Sequence, residues 1–117
     1  MESENSILKI YVSNTDHMGM TLLYEYIVLK AHKKGISGVT AYRGITGYGL
    51  SNNRIVTSKF WEITDKLPVI VEMIDKTEIL ESFYNEIEND IKAMGKGCLI
   101  YMQPIEIKLH QSGKKKE

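Results

Sequence analysis

The sequence predicts an α+β domain in which an antiparallel sheet carries two helices on one face. Three observations predict it. Four short stretches carry apolar residues in the alternating or continuous pattern of strands, two longer stretches carry them every fourth position, and a glycine stands where each helical pattern stops. The 117 residues make room for one domain, spanning 1–117, with residues 1–6 and 111–117 expected as flexible tails.

Residues 7–12 read as the first strand, with Leu8, Ile10 and Val12 on one face and Ile7, Lys9 and Tyr11 on the other. The polar stretch 13–19 reads as a loop. Residues 21–34 read as a helix on the spacing of Leu23, Ile27 and Ala31. Lys33 and Lys34 suit its negative end, and Gly35 suits the left-handed position beyond it. Residues 39–43 form a second strand, and residues 67–74 a third that is apolar on both faces. Between them runs a stretch, 44–66, longer than an ordinary connection and expected to be a mobile loop.

Asp75 then reads as an N-cap, with Glu78 as its reciprocal partner in a capping box. Ile79, Phe83, Ile87 and Ile91 mark the second helix, which ends near Met94, and Gly95-Lys96-Gly97 reads as a tight turn. Residues 98–102 form the fourth strand. Pro104 is expected to interrupt it, with Ile105, Ile107 and Leu109 resuming the alternation as an extension or an edge strand. The resulting order, βαββαβ, is that of the ferredoxin-like fold. Two helices cover one sheet face, and no further element is left for the other. Yet Ile7, Tyr11, Ile70 and Ile74 make that second face apolar, so another copy of the chain is the expected cover.

Lysine and arginine balance aspartate and glutamate at a formal net charge of +0, which weighs against a nucleic-acid partner. The run Lys114-Lys115-Lys116 reads as a solvated end. A single cysteine, Cys98, cannot staple the fold and suits a reducing, cytoplasmic setting. No apolar run reaches the length of a membrane helix, and residues 1–6 lack a signal-peptide core. His17, His32 and His110 are scattered, without ligand spacing, so no metal site is expected. Cys98 reads as a small strand residue, and the acids of the second helix read as its wet face. No catalytic residue is assigned.

The glycine-spaced stretch Gly44-Ile45-Thr46-Gly47-Tyr48-Gly49 carries more chemical information. Its glycines let main-chain N–H groups approach an anion, and Arg43 before it and Arg54 after it can fork onto phosphate. It is not a P-loop, and a plain hairpin loop explains it about as well. Gly95-Lys96-Gly97 is a second phosphate-compatible turn, equally explained as a helix C-cap.

The segments Leu8-Lys9-Ile10-Tyr11-Val12 and Leu23-Tyr24-Glu25-Tyr26, the run from Gly35 through Gly38-Val39-Thr40-Ala41-Tyr42-Arg43-Gly44-Ile45 to Gly49, and Leu67-Pro68-Val69-Ile70-Val71-Glu72 resemble the PII-like family catalogued as domain of unknown function 190. The resemblance covers roughly residues 7 to 109. Its most specific piece is the GVT-x-YRGI-x-G-[FY]-G run, and it departs at Thr21, where relatives tend to have proline. It implies a cytoplasmic, non-enzymatic homotrimer that binds an adenine nucleotide (AMP, ADP or ATP) between subunits and requires no cofactor. The nucleotide would meet Arg43, Gly44, Gly47, Tyr48, Gly49, Gly95, Lys96 and Gly97. The loop 44–66, through Asn52, Asn53 and Arg54, would dock on a protein partner, a membrane transporter among the kinds implied. The rivals are a metal-binding or metal-tolerance trimer of the same architecture and a ligand-independent interaction scaffold. An RNA-binding domain and a small enzyme stand further back.

Overall fold

A computed structural model describes residues 4–49, 52–57 and 67–113, with the backbone alone for 52–57. Its elements are β1 (Asn5–Ser13), β2 (His17–Met18), β3 (Thr21–Leu22), α1 (Leu23–Lys34), β4 (Gly38–Arg43), β5 (Thr46–Gly49), β6 (Asn52–Thr57), β7 (Pro68–Lys76), α2 (Thr77–Met94) and β8 (Leu99–Ile105). The main sheet has the order β4-β7-β1-β8, and every neighbouring pair is antiparallel. This is the ferredoxin-like arrangement that the pattern predicts.

Strand parity decides the core. Leu8, Ile10 and Val12 of β1 and Val69, Val71 and Met73 of β7 are buried under Leu23, Ile27 and Ala31 of α1 and Leu80, Phe83 and Ile87 of α2. Gly35 and Gly95 close the helices in left-handed geometry, at φ 87° and 67°, where a side chain would be strained. Side chains also tie the two helices to each other. The Tyr26 hydroxyl donates to an Asp90 oxygen at 2.6 Å, and Lys34 Nζ reaches Glu86 at 3.3 Å. Burial, then the Asp90 carboxylate, pushes the Tyr26 hydroxyl up to about 12.

Five expectations need correction. Residues 17–22 form a small hairpin, β2–β3, and α1 starts at Leu23 instead of 21. The Leu23 N–H donates to the Asp16 carbonyl at 2.7 Å, which fixes the helix start without a side-chain cap. The supposed tail at 1–6 is strand from Asn5, and buried Ser6 bonds Thr77 through their hydroxyls at 2.6 Å. The loop 44–66 contains the paired strands β5 and β6; its residues 50–51 and 58–66, and the expectation of mobility there, lie outside the described residues. Pro104 does not interrupt β8. It stands inside the strand opposite Ser6, on an edge where a missing N–H is tolerated.

Asp75 does not cap α2, whose preceding residue is Lys76 and which has no side-chain cap. Its carboxylate instead accepts the backbone N–H of Ser37 at 2.9 Å and of Lys76 at 2.7 Å, tying the entry of β4 to the end of β7. Desolvation pushes this carboxyl up, but the hydrogen bonds from Lys76 and Ser37 and the Lys76 charge outweigh it, so its pKa lies below the ordinary value. A depressed carboxyl stabilises the fold above its unfolded pKa, and that contribution is lost as pH falls through the folded one. Asp75→Ala is therefore expected to cost about 1–3 kcal/mol at neutral pH, with the difference from the parent shrinking in acid. Urea unfolding at neutral and acid pH checks both parts.

Candidate functional site

The described residues that carry phosphate-compatible chemistry gather at one end of the main sheet. β4 finishes there at Arg43, opposite Val69; β7 begins there at Pro68, opposite Ser13; and β8 begins there at Leu99, opposite Tyr11. Gly44 follows Arg43 and donates its N–H to the Pro68 carbonyl at 2.8 Å. A Cβ on Gly44 would lie 2.8 Å from Pro68 Cγ, so only glycine lets the chain lie flush against the proline ring. The β5–β6 ribbon leaves from this junction. Gly49 needs its freedom at φ 127°, beside an irregularity in the β5–β6 ladder. Gly47 has no such need, since a Cβ there would meet Pro68 at an ordinary 3.5 Å.

Beside Arg43 lies a cleft of about 360 Å³ lined by Asn14, Tyr24, Ala41, Tyr42, Arg43 and Val69. Asn14 is fixed there by a reciprocal pair of bonds: its N–H donates to the Leu67 carbonyl, and its Oδ1 accepts the Leu67 N–H, both at 2.9 Å. Arg43 is exposed. The ion pairs of the described residues, Lys34–Glu86, Lys92–Glu88 and Lys108–Glu106, leave both Arg43 and Lys96 out. Two exposed cations outside those pairs are available to an external anion.

Arg43 and Gly44 are together as expected, and Tyr48 projects from the ribbon at 72% exposure. Gly95-Lys96-Gly97 opens at the same end of the sheet but at its other edge, with β7 and β1 between. Three interstrand spacings separate the two edges, roughly 14 Å. Within one chain the two segments share an end without forming one pocket. Asn52, Asn53 and Arg54 lie on β6, with only their backbone described. The sequence reading missed Asn14, Tyr24 and Val69, which come from the turn after β1, from α1 and from β7. Tyr42 and Ala41 were visible within the GVT-x-YRGI run but gave no sign of lining a cleft.

Burial, with Asp16 adding to it, pushes the Cys98 thiol up to about 11, which keeps it protonated and unreactive at neutral pH. Among the described residues no group of three or more His, Cys, Asp or Glu side chains could hold a metal ion. No helix of the described residues is long and apolar enough to cross a membrane.

The chain matches the family model of domain of unknown function 190, described as an uncharacterized ACR, over residues 5–107. It is 32% identical over 85 residues to a UPF0166 protein of Aquifex aeolicus, covering 73% of this chain and 80% of that one. It is 33% identical over 99 residues to a UPF0166 protein of Methanocaldococcus jannaschii, covering 81% and 90%. Among solved structures it resembles CPII, a nitrogen regulatory PII-like protein from Thiomonas intermedia K12 bound to ADP, AMP and bicarbonate. That match has a TM-score of 0.64 at 12% identity, over 88% of this chain and 87% of CPII. A PII-like signaling protein from Thermus thermophilus matches with a TM-score of 0.60 at 12% identity, over 88% and 89%. The chain belongs to the domain of unknown function 190 family, and its fold is the PII-like form of the ferredoxin-like fold.

Proposed function

We propose that the chain is a non-catalytic regulator, a homotrimer that binds an adenine nucleotide between subunits and signals to a protein partner through the β5–β6 ribbon. The observation that carries this is the shared end of Arg43-Gly44 and Gly95-Lys96-Gly97 on opposite edges of one sheet. Because neighbours alternate in direction across four strands, the edge strands β4 and β8 run oppositely. Three copies around an axis along the strands therefore set β4 of one against β8 of the next with antiparallel polarity. That arrangement removes both free edges and turns the apolar sheet faces inward. The glycine turn and lysine of one subunit then adjoin the arginine, glycine junction and cleft of its neighbour. Backbone N–H groups and two cations outside the described ion pairs suit a phosphate chain, and CPII, which shares the fold, binds ADP and AMP.

Titration calorimetry with AMP, ADP, ATP and cyclic nucleotides tests the reading on protein whose mass is checked by light scattering. Micromolar binding by a species three times the 13.4 kDa chain mass is expected. No binding below about millimolar, which is about 4 kcal/mol, overturns the nucleotide assignment. A ligand-independent scaffold is then the better reading, favoured by Ile45 and Tyr48, which the ribbon base and β5 expose to solvent.

A further inference from the structure

The sheet face that the helices leave open is not apolar throughout. Strand parity puts Ile7, Lys9 and Tyr11 of β1 on it, since Leu8, Ile10 and Val12 are buried under the helices. The register lines Thr40, Glu72, Lys9 and Tyr101 up in one row across all four strands of the main sheet. The rows on either side are apolar at their centres, Ile74 beside Ile7 in one and Ile70 beside Tyr11 in the other. A lysine and a glutamate thus stand in the middle of an apolar face, both half-buried in the single chain. They are direct cross-strand neighbours, yet the ion pairs of the described residues do not include them. Tyr101 first, then Tyr42 and Glu72, raise the pKa of Lys9 above its ordinary value and outweigh desolvation, so its charge persists at neutral pH. Covering this face strands both charges unless each meets an opposite one.

We infer that Lys9 of each chain pairs with Glu72 of the partner subunit, so that a ring of alternating charges closes around the trimer axis. This rests on the trimeric arrangement proposed above. With the axis along the strands, rotation keeps every residue at its own height. β7 and β1 are the middle strands of the sheet, so they lie nearest the axis, one on each side of it. The β1 half of one sheet therefore turns toward the β7 half of the next. Lys9 and Glu72 share a row, so they meet at one level. The row is its own complement, positive on one side of the axis and negative on the other, and a second copy matches it by symmetry. A partner protein of a single sign would leave one of the two charges uncompensated. The ring acts on specificity more than on strength, because a misaligned copy sets a charge against Ile7 or Ile70.

The test takes Lys9→Glu and Glu72→Lys as two separate full-length chains. Circular dichroism checks the fold of each, and light scattering over a dilution series reads assembly. Each variant alone sets like charges at every junction, and its trimer dissociation constant is expected to rise by at least about 100-fold. Mixing the two is expected to recover trimers, since junctions between unlike chains pair opposite charges. Native mass spectrometry with one chain tagged then finds both chains in one particle. Folded single variants that stay trimeric at every dilution of the parent overturn the ring and leave the trimer standing. Dissociated variants that mixing does not recover do the same, since they place the pair within one chain. Should the reversals prevent folding, Lys9→Met is read in the same dilution series, because it leaves Glu72 of the partner subunit bare. Easier dissociation, reversed by adding Glu72→Met, is expected there, and an unchanged trimer overturns the ring. A monomeric parent overturns the trimer and the ring together.

Discussion

Gly44→Val is expected to abolish measurable nucleotide binding while leaving a folded chain. The site of the clash is already in contact. A Cβ at position 44 would stand 2.8 Å from Pro68 Cγ, a distance side chains do not adopt, and the Gly44 N–H bonds the Pro68 carbonyl at 2.8 Å. The proline ring cannot swing away, because it opens β7 in the middle of the sheet. The ribbon base must move instead, and the hydrogen bond goes with it. Overpacking of this kind costs about 1–3 kcal/mol and the lost bond about 1 more. Arg43 and the whole β5–β6 ribbon hang from this junction, so a shift of the order of an ångström misplaces every group meant for the phosphates. Gly47→Ala is the steric control, since its Cβ would meet Pro68 at an ordinary 3.5 Å and should leave stability unchanged. Calorimetry on both variants decides it. Parent-like affinity in Gly44→Val would show that the ribbon base does not position the ligand.

The same pair of glycines shows where the sequence stops being informative. Gly44, Gly47 and Gly49 look alike as a string, yet two different reasons stand behind two of them and none behind the third. Gly44 is set by a proline on another strand, Gly49 by its own φ of 127°, and Gly47 by neither. The first of these needs the β4–β7 register, which no local pattern reports. Legible features were those with a local cause. The alternation of Leu8, Ile10 and Val12 gave the buried face of β1, and Gly35 and Gly95 gave both helix ends. Asp75 carried the local signal of a cap, yet its carboxylate is drawn to Ser37, 38 residues away in sequence. Pro104 could be placed correctly only by knowing that β8 is an edge. The β2–β3 hairpin has strands of two residues each, too short for any period to appear. For the proposed site, Arg43 and Gly95-Lys96-Gly97 could be named as candidates because strand ends are where loops with function begin. Asn14 and Tyr24 were not, because the cleft is assembled from elements distant in the chain.

Arg43→Ala is expected to weaken nucleotide binding by about 1.5–3 kcal/mol, roughly 10- to 150-fold, without a change in stability. Arg43 is exposed and has no part in the ion pairs of the described residues, so its removal leaves no buried partner unsatisfied. That separates it from Gly44→Val, which lowers stability as well as affinity. Its position at the end of β4 is fixed by the pairing with Val69, so the guanidinium is delivered from a rigid strand instead of from a loop. A charge-assisted, forked bond to phosphate weakens with salt, and the affinity gap between parent and variant should therefore narrow as ionic strength rises. Arg43→Lys should recover part of the loss, since it keeps the charge but not the planar fork. Calorimetry of the three proteins at low and high salt reads both effects. Should Arg43→Ala bind as the parent does at low salt, phosphate is not held at this end of β4. The cleft beside Tyr24 and Tyr42 would then have to serve a ligand without a phosphate, or none, and the exposed ribbon would remain as the working surface of a scaffold.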